Sequence, residues 1–274
     1  MLFTEPPRSS WDWNFSLFGV PVRVHPFFWL MSLLMGWGAL AQGIQFLLLW
    51  VAAVFVSILV HEFGHVVVGR VFGAWSHIVL YGLGGLAVGS NALNSRWKRI
   101  AVCFGGPFAG FLLLGVTVLC YLFLPSPYQA HPLVQEALSD LWFINLFWGL
   151  MNLLPIYPLD GGQISVDFLG WLMPRNGTRA ALAISLFLSG LLAVNSLARL
   201  AGFALVPYVP AGGWWFAILF GSLALGSFQA LQREQERARW IDERDMTPWE
   251  RQERRWERED DADYWPQDRG RWEK

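Results

Sequence analysis

The chain has 274 residues, of which 54% are hydrophobic and 15% charged, with a formal net charge of −1. Mean hydropathy is +0.36, high for a soluble protein, and the charge balance gives no reason to expect a nucleic-acid partner. The two cysteines, Cys103 and Cys120, share one apolar run and lie about 25 Å apart if that run is helical, so no disulfide framework is implied.

The N-terminus, MLFTEPPRSSWDW, lacks a basic stretch followed by an apolar core, and no cleaved signal peptide is expected. Residues 1–26 read as a cytosolic segment. Within it SLFGVPVRVH, at 16–25, alternates around Val20, Val22 and Val24 and predicts a short strand on the membrane surface. From 27 to 231 several apolar runs approach or exceed the roughly 18–20 residues that cross a bilayer. Six spans are predicted: Phe27 to Ala41, Gln45 to Arg70, Ile100 to Leu124, Leu141 to Ile156, Ala180 to Ala201 and Trp214 to Leu231. Between the second and third, residues 77–90 (HIVLYGLGGLAVGS) are β-rich, apolar and carry five glycines. Non-helical backbone at membrane depth is tolerated only inside protein or beside a wet cavity, so this stretch predicts a re-entrant hairpin. The fold class is therefore an all-α polytopic membrane protein with a small membrane-associated β element.

Loop charge sets the expected orientation. Arg8, Arg23, Arg70, Arg96, Lys98, Arg99, Arg175 and Arg179 fall on one side of the six-span layout, against Arg199 on the other. Both termini are expected in the cytoplasm of a bacterial-type cell. Residues 232–274 change character. Charges dominate, and tryptophans recur at 240, 249, 256, 265 and 272. This tail reads as a charged cytosolic extension, and Thr247-Pro248-Trp249-Glu250 has the form of a helix start.

The chemistry is concentrated in the second span. Phe46 to Val60 carries no charge, and then His61-Glu62-Phe63-Gly64-His65 brings two imidazoles and a carboxylate within five positions. Ionisable groups at membrane depth are costly and usually functional. Positions i and i+4 share a helix face, so His61 and His65 can reach one metal ion, and zinc suits imidazole donors with an open fourth position. Glu62 lies beside that face, placed to take a proton from water at the metal. A third ligand is required. His25 and His77 lie near the membrane surface, His131, Glu136 and Asp140 on the opposite side, and Cys103 would make a site less usual for hydrolysis. Asp160 fits best, because it follows the cytoplasmic end of span four in Asn152-Leu-Leu-Pro155-Ile-Tyr-Pro158-Leu-Asp160-Gly161-Gly162. Pro155 and Pro158 break the helix, and the two glycines permit a turn aiming Asp160 back at the metal. Gly105-Gly106-Pro107 with Gly110 lies in the third span, where Gly106 and Gly110 form a GxxxG pair suited to close helix packing, with a role in shaping the active-site cleft as the alternative.

HEFGH within one span and NLLPIYPLDGG ending another resemble the site-2 protease family of intramembrane zinc metalloproteases. The likeness covers roughly residues 16–165 and includes GVPVRVHP and the Gly84-Gly85 hairpin. The resemblance implies a three-helix catalytic core in spans two to four, zinc held by His61, His65 and Asp160, and Glu62 as catalytic base. It implies that Asn152 holds substrate or the developing oxyanion. It also implies a transmembrane segment as substrate, often one already trimmed by another protease. No inserted PDZ-like domain and no nucleotide-binding domain after span six is visible, and the tryptophan-rich tail has no counterpart. A substrate helix must unwind before its carbonyls are accessible, and an exposed strand edge at 77–90, with Gly84 and Gly85 allowing close backbone approach, is the expected dock. Two other classes fit the sequence less well. A metal transporter would continue the polar path and show repeated halves. A non-catalytic homologue that binds membrane segments has no need of Glu62.

Overall fold

A computed structural model describes residues 5–82, 84–90, 92–203, 205–206 and 213–245. The expectations for the tail beyond residue 245, including the helix start at Thr247, lie outside the described residues. The chain forms two compact units, Met1–Phe228 and Gln229–Lys274.

The first unit opens with the antiparallel hairpin β1 (Trp13–Leu17) and β2 (Val20–Val24). Phe18 and Gly19 between them both have positive φ, 49° and 71°, as a two-residue type I′ turn requires. Helix α1 (Pro26–Met35) begins at Pro26, a favoured first helical residue. His25 precedes it, and its Nδ1 accepts the Phe27 N–H at 3.1 Å. A 3-10 turn (Trp37–Gln42) leads to α2 (Ile44–Val71), then to a second antiparallel hairpin of β3 (His77–Tyr81) and β4 (Gly84–Val88). The helices α3 (Arg96–Phe123), α4 (Ser126–Gln129), α5 (Pro132–Asn152), α6 (Asp160–Leu172), α7 (Gly177–Leu200) and α8 (Trp214–Asp245) follow.

The two hairpins make one sheet. β2 and β3 pair in parallel, with Val22 opposite Ile78 and Val24 opposite Leu80, giving the order β1-β2-β3-β4. The residues alternating toward one face, Val20, Val22, Val24, Ile78 and Leu80, bury against Phe28 and against Ile58 and Val66 of α2. Sequence reading placed the two β segments separately and missed β1, although Trp13, Phe15 and Leu17 carry the same alternation. The parallel pairing needs residues more than fifty positions apart and has no local signal.

Among the described residues, four helical stretches are long and apolar enough to cross a membrane: Ile44–Val71, Arg96–Phe123, Gly177–Leu200 and Trp214–Trp240. They match the second, third, fifth and sixth expected spans. The first expected span divides. α1 has ten residues, about 15 Å, and ends at Gly36, where a Cβ would fall 2.1 Å from the Trp50 ring. The fourth corresponds to α5, which starts nine residues before the expected boundary and includes Gln135, Glu136 and Asp140. Those polar residues lower its hydropathy and keep it out of the apolar class.

α2 packs against α3 and α5, and α3 packs against α5 and α6. This three-helix arrangement, with the sheet beside α2, positions the site. The α2–α3 crossing is close because two glycines meet: a Cβ on Gly64 would lie 2.1 Å from the Gly105 carbonyl oxygen, and one on Gly105 would lie 2.6 Å from that of Gly64. The expected Gly106–Gly110 pair is corrected accordingly. Gly110 makes only ordinary contact, 3.7 Å from Asn145 Oδ1, and Gly106 turns toward the histidines. Basic residues counted for orientation also tie elements together. Arg70, in the last turn of α2, donates to Phe18 O and Gly19 O of the β1–β2 turn. Arg96 donates to Gly170 O, and Arg99 pairs with Asp167 of α6. In the second unit the described residues continue α8 as helix to Asp245, with the Arg244 guanidinium over the Trp240 ring.

Candidate metal centre

In α2 the core residues Val54, Ile58, Leu59 and Val66 bracket His61, Glu62 and His65, which are themselves buried. The helical repeat brings the imidazoles together with their Nε2 atoms 3.3 Å apart. Asp160, the first residue of α6, completes a triangle: its Oδ2 lies 3.1 Å from His61 Nε2 and its Oδ1 3.3 Å from His65 Nε2. Donors bonded tetrahedrally to one zinc at 2.0–2.1 Å stand about 3.3–3.4 Å from each other. Two imidazoles and a carboxylate at these separations therefore fit a single zinc-sized cation and leave a fourth position open. Glu62 adds its carboxylate to the same cluster, its oxygen within 4.8 Å of the two imidazole nitrogens.

Three further features hold the donors. His65 Nδ1–H donates to the Val102 carbonyl of α3 at 2.7 Å, which places the free lone pair on Nε2, facing the cluster. Pro107 lies inside α3, where its missing N–H loosens the local ladder. Gly106, beside it, clears the room: a Cβ there would stand 2.3 Å from His65 Nε2 and 2.7 Å from His61 Nε2. Gly161 and Gly162 were expected to make a turn. Instead they form the first turn of α6 with Asp160 and press against the preceding loop, where a Cβ would fall 2.2 Å from Leu153 O and 2.3 Å from Tyr157 N respectively. Their role is close approach. No positive φ is needed at either glycine.

Strand β4 is the outer strand of the sheet on this side and runs over Glu62. A Cβ at Gly85 would come 2.4 Å from Glu62 Cγ and 2.7 Å from its Oε1. Gly84 has a looser neighbour, Trp148 of α5, at 3.5 Å. Both glycines lie within the strand, paired with Leu80 and Tyr81, so neither forms the turn. Asn152, buried in the last turn of α5, donates from Nδ2 to Trp148 O at 3.0 Å. Of the other candidates, His25 caps α1, His77 faces Glu5 at 3.4 Å, and His131 immediately precedes α5. Cys103 is buried, but the cluster itself is made by His61, Glu62, His65 and Asp160.

Sequence reasoning singled out Gly106 without its histidine neighbours, and it missed the Val102 carbonyl. A Gly-Gly-Pro run in a span is a visible sign of close approach, but nothing local says what approaches. The acceptor at Val102 is a backbone atom and leaves no mark in the sequence.

Residues 128–194 match the profile of Peptidase family M50; that stretch includes Asn152 and Asp160 and lies beyond the histidine pair. The chain is 31% identical over 224 residues to a Synechocystis protein with the provisional name zinc metalloprotease sll0528, an alignment covering 75% of this chain and 55% of the relative. It is 28% identical to zinc metalloprotease MJ0392 of Methanocaldococcus jannaschii, over 66% of this chain and 54% of the relative. It is 30% identical to stage IV sporulation protein FB of Bacillus subtilis, over 52% and 46%. The chain thus spans about half the length of these curated relatives. Among solved structures, the site-2 protease from Methanocaldococcus jannaschii shares the fold, with a TM-score of 0.56 at 22% identity, over 81% of this chain and 95% of that one.

Proposed function

Because the chain belongs to the site-2 protease family, we propose that it is an intramembrane zinc metalloendopeptidase that hydrolyses a peptide bond within a transmembrane segment. The observation that carries this reading is the triangle of His61, His65 and Asp160 donors at 3.1–3.3 Å with the Glu62 carboxylate beside it.

In this reading His61 Nε2, His65 Nε2 and Asp160 hold one zinc ion, which supplies Lewis acidity for carbonyl polarisation and water activation. Glu62 accepts the proton of the attacking water and delivers it to the leaving amine nitrogen. Its burial beneath β4 limits bulk water and keeps that carboxylate near the cleaved bond. Asn152 has one Nδ2 proton left after its bond to Trp148 O, available for a substrate carbonyl or the oxyanion. The outer edge of β4 receives the unwound substrate as an added strand. At Gly84 and Gly85 no side chain stands between the two backbones, and Gly85 lies directly above Glu62. The substrate is the transmembrane segment of a membrane-tethered protein, either a regulator or a segment trimmed beforehand by another protease, and both termini of this chain face the cytoplasm.

Reconstitution tests the proposal. The chain in lipid vesicles, loaded with zinc, is expected to cut a reporter tethered by a single transmembrane segment and to bind one zinc per chain. Zinc bound without cleavage would favour the segment-binding homologue, and zinc crossing the vesicle membrane would favour a transporter.

A further inference from the structure

Helices α7 and α8 contribute no donor to the metal cluster, yet two buried serines on them grip the loop that carries Asp160. Tyr157 N–H donates to Ser185 Oγ of α7 at 2.5 Å, and Ser227 Oγ of α8 donates to Tyr157 O at 2.9 Å. The two hydroxyls are 2.8 Å apart. A serine hydroxyl has one proton. Ser227 spends its proton on the Tyr157 carbonyl, so Ser185 is the donor between them. The four groups close a ring: Tyr157 N–H to Ser185, Ser185 to Ser227, Ser227 to the Tyr157 carbonyl. Both serines are at most 1% exposed, so no water replaces a missing member, and a half-satisfied polar ring is more costly than an apolar contact.

The held Tyr157 backbone is linked to the donor triangle through rigid contacts. The Tyr157 nitrogen lies against Gly162, where a Cβ would stand 2.3 Å away. Gln163 Nε2 donates to Pro158 O at 3.1 Å. Ile156, fully buried, packs with Phe220 and Leu223 of α8. The first turn of α6 is thus seated on the loop that the serines fix, and Asp160 begins that turn.

We infer that Ser185 and Ser227 are positioning residues that set Asp160 at metal-bonding distance by clamping the backbone N–H and C=O of Tyr157, which belong to the two peptide groups flanking its Cα, so that α7 and α8 govern metal affinity without touching the metal. The inference rests on the zinc site proposed above. Removing a group that orients a ligand typically weakens metal binding about 10–100-fold.

Zinc affinity, measured by chelator competition on the purified full-length chain, tests it. S185A and S227A are each expected to bind zinc about 10–100-fold more weakly than wild type. S189A is the control: Ser189 is equally buried on α7 but bonds only to carbonyls of its own helix, Ser185 O and Leu186 O, and it is expected to stay within about twofold of wild type. S227C, which keeps the volume and weakens the hydrogen bonds, stands in for either alanine variant that does not fold. Wild-type affinity in the Ser185 and Ser227 variants would overturn the inference, as would an equal loss in S189A. D160A separates the two levels. If D160A binds zinc as wild type does, the metal site itself is misassigned; if D160A loses zinc and the serine variants do not, only the clamp fails.

Discussion

Replacing Gly106 by alanine is the smallest change that tests how tightly α3 is closed over the histidines. The new methyl carbon would start 2.3 Å from His65 Nε2, 2.5 Å from His65 Cε1 and 2.7 Å from His61 Nε2. Contact between such atoms normally begins near about 3.4 Å, so His65 Nε2 must move about 1 Å or the helices must part. Parting is resisted by the Gly64–Gly105 backbone contact one residue away and by the bond from His65 Nδ1 to Val102 O. Metal–ligand distances tolerate only about ±0.2 Å, so a 1 Å displacement is several times what the site absorbs. G106A is therefore expected to weaken zinc binding by at least about 100-fold, equivalent to about 2.7 kcal/mol. Alanine at a helical glycine gains up to about 1 kcal/mol in propensity, so the fold itself has a compensating gain. Zinc competition with a melting curve on the same sample separates the two effects. G110A, whose new carbon would be 3.7 Å from Asn145 Oδ1, and G115A, with nothing within 4 Å, are expected to bind zinc as wild type does. Wild-type zinc affinity in G106A would refute the claim that the Nε2 atoms of His61 and His65 face α3 at this distance.

Other substitutions separate the remaining parts of the site. G84V is expected to slow cleavage several-fold with zinc retained, because Gly84 lies on the β4 edge with Trp148 near, at 3.5 Å; in an E62Q background, substrate residues near the cleaved bond are expected to crosslink to cysteines at positions 83 or 86, and their trapping only to spans five and six would remove the strand-addition proposal. G85V is expected to be more severe, since its Cβ also displaces Glu62, and a milder effect than G84V would contradict that geometry. At the sheet, burial alone would raise the Asp12 carboxyl, but the Ser9 N–H and the Arg23 guanidinium outweigh it and hold it below its ordinary 3.8. A lowered carboxylate stabilises the fold above its unfolded value and loses that contribution as pH falls through the folded one, so D12N is expected to flatten the acid limb of a melting-temperature profile below pH 3.8; an unchanged limb would assign acid lability elsewhere. Thiol labelling of cysteines at positions 5 and 260 from the cytoplasmic side, and at 131 from the outside, is the expected topology, and the reverse pattern would overturn the orientation.

The site was legible where its chemistry lies in local spacing. HEFGH on an apolar helix fixes a shared face for His61 and His65 through the helical repeat alone. Asp160 is 95 residues beyond His65, and the proline breaks before it located it as the third donor near one membrane side. What the spacing did not reveal is how α6 presents it. Gly161 and Gly162 read as turn residues, yet they are helical and small because the 153–157 backbone lies against them. The same limit applies to Gly106, whose neighbour is a histidine tip on another helix, and to the parallel pairing of β2 with β3. Apolar runs located α2, α3, α7 and α8 well, since burial and bilayer crossing both select continuous hydrophobicity. They misled at α1, where Gly36 packed against Trp50 ends the helix, and at α5, where polar residues face the core: Asn145 Nδ2 bonds Ser57 Oγ at 2.9 Å. Ser185 and Ser227 carried no signal, because isolated serines in apolar helices usually bond their own backbone.

The central claim is that His61, His65 and Asp160 hold zinc while Glu62 performs proton transfer, and E62Q tests it most directly. The substitution is nearly isosteric and leaves all three donors in place. Zinc content and cleavage of a membrane-tethered reporter, measured on the same reconstituted E62Q sample, are expected to show one zinc per chain and turnover lowered by several orders of magnitude. Near-wild-type cleavage by E62Q would contradict the account.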